Sequence, residues 1–371
     1  MKLYIPTMGR LLIAEQQDGK WRIASHLVGM QVMSLAIDPF HPERVYCGTY
    51  GRGLWRSDDA GHSWEPIGDV PFNTGEGGIP IGNITAIAVS SAERVGEHGV
   101  VYVGTEPSAL FRSEDGGATW QELSTFRELP STSTWSFPPK PETSHVRWIT
   151  PDLHVAGRVF VAVEAGALVR SLDGGAHWED RVPDGPIDTH TLVMHPNAPD
   201  RLYSAAGDGL FTPGKGYQES YDAGLTWQCP DEGLSEHYLR SVAVDPADPD
   251  TIVISASTSP LPLPDGSFAE PALYRKTRGE PWRKVWQVRG TMLLYVASHA
   301  AEPGVFYALG LGGVYRSSDT GLTWEQLALP WSEELAQQFP QALVLSDESS
   351  TRPVNGDGLV PRPEGLRREA P

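Results

Sequence analysis

The sequence predicts an all-β protein, a seven-bladed β-propeller of four-stranded blades that is closed by a composite blade from both termini. Three observations support this prediction: a turn motif occurs five times, a succession of four short strands occurs six times, and the two chain ends carry the strands of a seventh unit. Repeats spaced by about 40 to 60 residues indicate a repeat architecture. Four-stranded units repeated around an axis form a propeller.

The turn motif has the form S-x-D-x-G-x-(T/S/H)-W and looks at first like a cation site or a cluster of catalytic acids. Its copies begin at Ser57, Ser113, Ser171, Ser220 and Ser317. Five copies of one motif cannot be five active sites. A structural role explains them, because Ser and Asp bond to nearby backbone amides, Gly supplies a positive φ, and Trp buries a large ring. We therefore interpret the motif as a turn.

The strand succession is clearest in the first complete unit. It begins with VMSLAIDP (Val32 to Pro39) and continues through RVYCGTY, GLWRSDD and SWEPIG, with turn residues between the segments. Five further units keep this order. The seventh unit takes three strands from residues 1–28 and one, QALVLSD, from residues 341–347. Closing the ring removes exposed sheet edges, and we predict one propeller domain over residues 1–347.

The composition excludes several classes of function. The formal net charge of −18 argues against nucleic acid, because phosphates need a surface rich in Lys and Arg. Cys47 and Cys229 fall in different units and make neither a disulfide framework nor a zinc site. The N-terminus lacks the features of a signal peptide, and no segment approaches the roughly 18 apolar residues of a membrane span. The sequence predicts a cytoplasmic protein without a membrane partner.

Two insertions and a tail depart from the repeat. Residues 125–144 are a long connection rich in Pro, Ser and Thr, and connections of this length are usually functional or disordered. Trp135 favours a packed, lid-like loop, since disordered segments are poor in aromatic residues. Residues 257–271 form a second insertion, within the fifth complete unit. By composition, residues 348–371 are predicted to be a disordered tail.

The turn motif resembles that of the Asp-box, or BNR-repeat, propellers, a family that includes sialidases, xyloglucanase-type glycosidases, sortilin-like receptors and a photosystem assembly factor. The resemblance covers residues 1–347. It implies that the turns lie on the face away from the active site, and that ligands meet the loops that enter each first strand or join strands two and three. It specifies architecture but not activity, because one scaffold hosts many functions.

Polar residues concentrate on that implied ligand face in successive units. His145, His190 and Arg240 occupy one aligned position before or within the first strands, and Tyr50, Glu106 and Glu164 occupy another at the end of the second strands. Arg147 lies two residues after His145, on the same face of the strand. The remaining candidates on or near this rim are Arg52, Trp135, Trp148, His237 and Tyr238.

These residue types suit sugar or anion chemistry. Glu106 and Glu164 could divide into acid and base or acid and nucleophile, as glycosidases require, with His145 and His190 assisting. Arg147 and Arg240 could hold an anionic group in bidentate fashion, and Trp135 and Trp148 could stack on a sugar ring. The plainer interpretation also stays open, in which the glutamates are solvated loop acids and the histidines only cap strand ends.

No cofactor is predicted, although His145, His190 and Glu164 could hold a divalent metal, since two imidazoles and a carboxylate leave open positions. Sialidase activity is disfavoured, because YIPTMGR (Tyr4 to Arg10) lacks the arginine that precedes Ile-Pro in family sialidases, and no arginine triad matches. The xyloglucanase-type enzymes place two propellers about a cleft, and this sequence predicts one.

Two classes of function remain. The first is a propeller that binds, and hydrolyses or cleaves, a small sugar-like or anionic ligand. The second is a non-catalytic scaffold for a protein or peptide partner, because rims rich in aromatic residues and arginine suit either use. The loop at residues 125–144 separates the two: a loop folded over the rim favours a small ligand, and a loop lying away from it favours a partner.

Overall fold

The computed structural model describes residues 1–67, 82–260, 269–287 and 294–347. Within these ranges the chain forms seven antiparallel sheets, and the first strands of neighbouring sheets contact one another around a ring. The predicted seven-bladed propeller is confirmed. The insertion at 257–271 lies partly outside the described residues, and the tail at 348–371 lies wholly outside them.

The blades follow the chain in order from the N-terminus. Blade 1 contains β1 (Lys2–Pro6), β2 (Leu11–Gln17), β3 (Lys20–His26) and, from the other end of the chain, β26 (Val344–Ser346). Blade 2 contains β4 (Gln31–Ile37), β5 (Val45–Tyr50), β6 (Gly53–Ser57) and β7 (Glu65–Ile67). Blade 3 contains β8 (Ile84–Val95), β9 (His98–Thr105), β10 (Leu110–Ser113) and β11 (Gln121–Glu122).

Blades 4 and 5 have shorter outer edges. Blade 4 contains β12 (Val146–Pro151), β13 (Val159–Val163) and β14 (Ala167–Ser171). Blade 5 contains β15 (Thr189–His195), β16 (Ala198–Ala206) and β17 (Tyr217–Ser220). The fourth strand of each is reduced to one bridged pair, Arg170 with Glu179 and Glu219 with Gln228.

The last two complete blades return to four strands. Blade 6 contains β18 (Tyr238–Asp245), β19 (Asp248–Ser257), β20 (Ala272–Lys276) and β21 (Arg283–Gln287). Blade 7 contains β22 (Tyr295–Ser298), β23 (Phe306–Gly310), β24 (Gly313–Ser317) and β25 (Glu325–Gln326). The helices of the described ranges are 3₁₀ turns at Ser124–Glu128, Pro130–Thr134 and Gly207–Leu210 and one α-helix, α1, at Glu333–Ala336. No helix in the described ranges is long and apolar enough to cross a membrane.

The ring closes through antiparallel pairing of β1 with β26, in which Leu3 is opposite Leu345 and Tyr4 is opposite Val344. The core lies between blades, where apolar faces of adjacent sheets meet. All five residues of β13 are buried, for example. Packing between blades is close: a Cβ atom on Gly104 of blade 3 would lie 2.4 Å from a methyl carbon of Val146 in blade 4. Glycine is needed there because the sheets approach too closely for a larger residue.

The S-x-D-x-G turns have the hydrogen bonds that a stapled turn requires. In the first copy, the amide of Ser63 donates to Asp59 Oδ1 at 2.8 Å and its hydroxyl donates to Oδ2 at 2.6 Å. The amide of Gly61, at φ +92°, donates to Ser57 Oγ at 2.8 Å. The indole of Trp64 donates to the carbonyl of Gly61 at 3.0 Å. Equivalent bonds recur in the copies that begin at Ser113, Ser171, Ser220 and Ser317.

These bonds act on the ionisation of the turn carboxylates. Partial burial by itself would raise the pKa of Asp59, but the hydrogen bonds from Ser63 and Ser57 outweigh it and lower the pKa to about 2. A depressed folded-state pKa stabilises the fold above the unfolded-state value of about 4. This contribution is lost as the pH falls from about 4 towards 2.

The first prediction concerns this turn. Asp59→Asn should lower the free energy of unfolding at pH 7 by about 0.5–1.5 kcal/mol, because a neutral amide oxygen accepts hydrogen bonds less strongly than a carboxylate. The difference from wild type should disappear as the pH approaches 2. Urea denaturation across pH 2–7 measures both. Asp18→Asn, in an exposed turn, removes the same charge and serves as the control. An Asp59 effect equal to that of the control at every pH would refute the turn's role.

Candidate functional site

The candidate site lies at the end of the blades opposite the S-x-D-x-G turns. Each turn follows a third strand, and antiparallel pairing places the start of that strand beside the end of the second strand and the start of the first. Glu164 follows β13, and His145 precedes β12. Glu106 follows β9, and Asp188 precedes β15. Residues far apart in sequence therefore meet at one end of blades 3 to 5.

A histidine lies between two glutamates at the centre of this group. Nε2 of His145 donates to Oε2 of Glu164 at 2.8 Å, and Nδ1 lies 3.9 Å from Oε2 of Glu106 without a hydrogen bond. Nε of Arg147 lies 3.5 Å from the same Glu164 oxygen and is also without a hydrogen-bond partner. Glu164 is thus held by two cationic or donor groups, while His145 separates it from Glu106.

Glu106 is held from the other side. The hydroxyl of Tyr50 donates to its Oε1 at 2.9 Å, and Nζ of Lys140 lies 3.2 Å from that oxygen and 3.0 Å from the tyrosine hydroxyl. The carboxylate of Glu106 is buried, whereas Lys140 is about half exposed. Lys140 belongs to the 125–144 loop, so the loop reaches across blade 3 to blade 2.

The 125–144 loop is folded and anchored. Phe126 is fully buried, and the indole of Trp135 packs on it at a ring distance of 5.0 Å. The backbone amide of Ser131 donates to Asp180 at 2.8 Å. Further along, the ring of Phe137 meets His145 edge-on at 4.7 Å. The loop therefore packs over His145 and contacts Glu106, and its role as a lid stays a prediction.

Asp188 and His190 complete the group on blade 5. Nδ1 of His190 donates to the carbonyl of Leu239 at 2.6 Å, since a carbonyl oxygen can only accept. Its Nε2 lies 3.7 Å from Asp188 and 3.9 Å from Glu164. We name the whole set the rim site: Tyr50, Glu106, Lys140, His145, Arg147, Glu164, Asp188 and His190.

Burial and nearby charges shift the pKa values of these groups in different directions. Burial lowers the pKa of His190 to about 3 against the opposing effect of Glu164, so the imidazole is neutral. Burial, with the charge of Glu164, raises the pKa of Asp188 to about 6. Burial alone would raise the pKa of Glu164, but the hydrogen bond and charge of His145 and the charge of Arg147 hold it well below its usual range. Glu164 therefore stays ionised and is unsuited to act as a general acid.

The structure places the other predicted residues around or beyond this group. Arg240 donates to the hydroxyl of Tyr295 at 2.9 Å and 3.2 Å. Tyr238 packs against His190 at a ring distance of 5.1 Å. The indole of Trp148 donates to the carbonyl of Leu192 at 2.9 Å.

Two further predicted residues contact their neighbours at the rim through hydrogen bonds that involve backbone groups. Arg52 is exposed, and its carbonyl accepts from an indole nitrogen. Nδ1 of His237 accepts from the backbone amide of Gly214 at 3.3 Å.

A central cavity of about 320 Å³ adjoins the rim site and is lined by first strands of all seven blades. Arg147 and Trp148 both line it, and so does Tyr295. Its surface is mainly apolar, with Thr191 and Ser241 among the polar exceptions. Arg147 joins the two regions, since its side chain contacts Glu164 and lines the cavity.

Two features of the site differ from the sequence-based expectations. The metal candidates were His145, His190 and Glu164, but among the described residues the groups whose ligand atoms converge within 4.8 Å are Glu164, Asp188 and His190. His145 instead donates to Glu164 from outside that set. The pairing of Glu106 with Glu164 as acid and base stays a prediction, although the carboxyl group with a raised pKa beside Glu164 is Asp188.

Asp188 and Lys140 were the residues that sequence reasoning missed. A signal existed for Asp188, because residues two apart on a strand share a face and Asp188 stands two before His190. Lys140 gave no such signal. It belongs to the 125–144 insertion, which has no counterpart in the other units, so alignment of the repeats could not place it.

Known proteins of similar sequence include xyloglucanases. The chain is 27% identical over 297 residues to a xyloglucanase of a Paenibacillus species, an alignment that covers 70% of this chain and 27% of that protein. It is 26% identical over 299 residues to the xyloglucanase Xgh74A of Acetivibrio thermocellus, covering 69% of this chain and 32% of that protein. The chain therefore spans about a third or less of the length of these relatives. No family model matches it.

Solved propellers share the fold. A GH74 enzyme of Niastella koreensis superposes with a TM-score of 0.62 at 17% identity, over 87% of this chain and 52% of that one. The protein YCF48 bound to a D1 peptide superposes with a TM-score of 0.55 at 16% identity, over 91% and 86%. Similarity at this level supports the propeller architecture. The Asp-box resemblance inferred from the turns stays a prediction.

The second prediction concerns the lid. Lys140→Gln should increase hydrogen exchange of the amides in residues 136–144 at least several-fold, because the ion pair to Glu106 is lost. The melting temperature should change little, since half-exposed ion pairs contribute little to global stability. Exchange mass spectrometry measures this. Lys20→Gln, an exposed substitution on β3, is the control. Unchanged exchange in the Lys140 variant would show that this contact does not hold the loop.

Proposed function

We propose that this propeller binds a carbohydrate in the rim site, as part of a glycoside-hydrolase-type protein. The observation that carries the proposal is the enclosure of a dense group of donors and acceptors beneath a folded loop. Sugar hydroxyls need many directional hydrogen bonds, and recognition sites for small ligands are concave with a few convergent polar groups. The half-buried ring of Phe137, beside His145, offers an apolar surface to a sugar ring.

The polar groups are fixed before any ligand arrives. Glu106 has two partners, Tyr50 and Lys140, on one oxygen, and Glu164 is held by His145. Arg147 is 7% exposed, and its Nε has no hydrogen-bond partner. A buried guanidinium group with an unused donor is costly unless something accepts from it. Arg147 also lines the central cavity, where a sugar hydroxyl or an acidic substituent can accept a hydrogen bond from its guanidinium group.

The sequence relatives support a carbohydrate as the ligand class. The relatives named above are xyloglucanases, and their alignments cover about 70% of this chain. The match extends over only 27% to 32% of their lengths. Hydrolysis by this chain alone is therefore a further step in the proposal, and sugar binding is the part that the rim site supports directly.

A peptide is the second candidate ligand. The similar propeller YCF48 is bound to a D1 peptide in its structure, and its superposition on this chain covers 86% of YCF48. The half-exposed tip of the lid, which carries Lys140, provides a charged contact for a peptide carboxylate. A peptide would have to bind with the lid displaced, because Phe137 covers His145 in the present structure.

The third prediction tests carbohydrate binding. Isothermal titration with xyloglucan, cello- and uronic-acid oligosaccharides should identify a ligand for the wild-type protein. Arg147→Gln should weaken that binding about tenfold or more, since losing one buried charged hydrogen bond to a ligand costs about 1–3 kcal/mol. Tyr50→Phe should also weaken it, because the Glu106 carboxylate loses the hydroxyl group that orients it. Tyr50→Phe keeps the ring and removes only the hydroxyl group.

The matched control is Arg283→Gln, which removes a cation from the exposed edge strand β21 at the periphery of blade 6. Binding unaffected by the rim substitutions but changed by the control would place the ligand elsewhere. If no oligosaccharide bound the wild-type protein, a peptide array would be the next screen, and the carbohydrate proposal would fail.

The fourth prediction separates binding from hydrolysis. If the chain hydrolyses the bound oligosaccharide, Glu164→Gln should reduce the release of reducing ends at least a hundredfold, because a carboxylate held ionised next to the ligand is lost. A reducing-end assay of wild type and variant measures this. Binding without any release by the wild type would identify a carbohydrate-binding module.

A further inference from the structure

We propose that Glu164, Asp188 and His190 form a binding site for one divalent transition-metal ion within the rim site. Nε2 of His190 lies 3.7 Å from Oδ1 of Asp188 and 3.9 Å from Oε1 of Glu164, and ligand atoms of all three lie within 4.8 Å of one another. A point equidistant from three atoms at these separations is about 2.5 Å or less from each of them. Zinc–nitrogen and zinc–oxygen bonds are roughly 2.0–2.2 Å long, so the three ligand atoms would need to move by only a few tenths of an ångström to bind zinc.

The burial and the tautomer of His190 are the observations that indicate a bound ligand. Its side chain is 1% exposed, and Nδ1 carries the ring proton because it donates to the carbonyl of Leu239 at 2.6 Å. Nε2 therefore presents a lone pair towards two carboxyl groups. The donor in contact with it is the hydroxyl of Tyr238 at 3.5 Å, longer than a well-formed hydrogen bond. Three acceptor atoms thus face one point, and a cation bound there would stabilise that arrangement.

Each of the three ligands is oriented by a partner outside the set. His190 donates to the Leu239 carbonyl, Glu164 accepts from His145 at 2.8 Å, and Asp188 accepts from the amide of Ala165 at 2.9 Å. Such outer contacts are what fix tautomer and direction in metal sites. The backbone also encloses the ligands closely.

Gly207 shows how close that backbone is. A Cβ atom there would lie 2.0 Å from Oδ2 of Asp188 and 3.0 Å from Cε1 of His190. Any larger residue would displace the carboxyl group from its present position. The absence of a side chain at Gly207 therefore allows Asp188 and His190 to pack against this backbone in their present positions.

The local charge and the donor types define the class of ion. Arg147 and Arg240 oppose a cation, because both act electrostatically on His190. The carboxyl groups of Glu164, Asp188 and the neighbouring Asp208 offset these two charges. A neutral imidazole among the ligands favours zinc, copper, iron or nickel over calcium or magnesium, which prefer oxygen ligands alone.

The ion would act on the ligand of the rim site. Three protein ligands leave coordination positions open for a water molecule or a sugar hydroxyl. A metal ion in such a site orients the substrate and lowers the pKa of its bound water. This consequence rests on the proposed carbohydrate function, whereas binding of the ion itself depends only on the three side chains.

Metal titration of the EDTA-treated, dialysed full chain tests the site. Zinc per chain is measured by equilibrium dialysis with elemental analysis, and cobalt is followed by its visible ligand-field bands. We expect one zinc ion per wild-type chain, and affinity at least tenfold lower in His190→Gln and in Asp188→Asn. Zinc should also raise the melting temperature of wild type by mass action, and magnesium should not.

The control is His195→Gln. His195 lies on the same strand, is 1% exposed and contacts the carbonyl of Asp245 at 2.8 Å, so it matches His190 in burial and chain position. It should keep the zinc stoichiometry and the cobalt spectrum. Undiminished binding by His190→Gln, or preference for calcium or magnesium, overturns the proposal. If His190→Gln does not fold, the same comparison is made with Glu164→Gln.

Sugar titrations with EDTA and with zinc separate this inference from the proposed function. Zinc binding at the three residues without any oligosaccharide binding leaves the metal site standing and removes the carbohydrate proposal. Oligosaccharide binding of equal affinity in both conditions, with no zinc bound, supports the carbohydrate proposal and overturns the metal site.

Discussion

Ring closure is the constraint on which the rest of the structure depends. Three residue pairs between β1 and β26 join the two ends of the chain, with Lys2 opposite Ser346, Leu3 opposite Leu345 and Tyr4 opposite Val344. Without them, blade 1 would lack its innermost strand and the neighbouring faces of blades 2 and 7 would lose their packing partner. A closed ring leaves only the outer strands as edges. Loop-closure entropy opposes this pairing across the whole chain, and the packing of every blade against its neighbours has to offset it.

The closed ring also creates the site. First strands converge at the axis, so the loops that lead into them are brought together at one end. His145, Glu164 and Asp188 come from two blades, and Lys140 reaches a third from the lid. At the other end, the S-x-D-x-G turns present carboxylates whose bonds are satisfied within each turn. One end of the propeller is therefore built of self-contained turns, and the other is built of contacts between blades.

Burial explains why the rim site is chemically distinct. Carboxyl groups of Glu164 and Asp188 lie close together in a region of low exposure, and burial alone would raise the pKa of both. Both carboxyl groups accept a hydrogen bond and lie near a guanidinium charge, but only at Glu164 do these effects outweigh burial and lower the pKa. Neighbouring groups thus shift the pKa values of two chemically similar carboxyl groups in opposite directions. The structure provides a negative charge, an imidazole lone pair and a titratable acid in one small volume.

Much of the architecture was accessible from the sequence alone. The five turn copies, the strand succession and the strand at 341–347 led to seven blades and to the composite blade, because turn chemistry and strand periodicity are local properties. Local alignment also placed His145, His190 and Glu164 at one end, since equivalent positions in repeats occupy equivalent places. It failed for the shortened fourth strands of blades 4 and 5, where the segments after the turns pair through single bridges.

The sequence by itself determined the repeat, the turns and the end of the propeller at which polar residues gather. Only the tertiary structure decided which of those residues touch: His145 lies between two glutamates, Lys140 bridges from the lid to Glu106, and Asp188 joins His190. The physical reason is that strand pattern and turn chemistry depend on neighbours in the chain. Contacts across blades instead depend on how far each sheet twists and how closely it packs, and these are set by the whole ring.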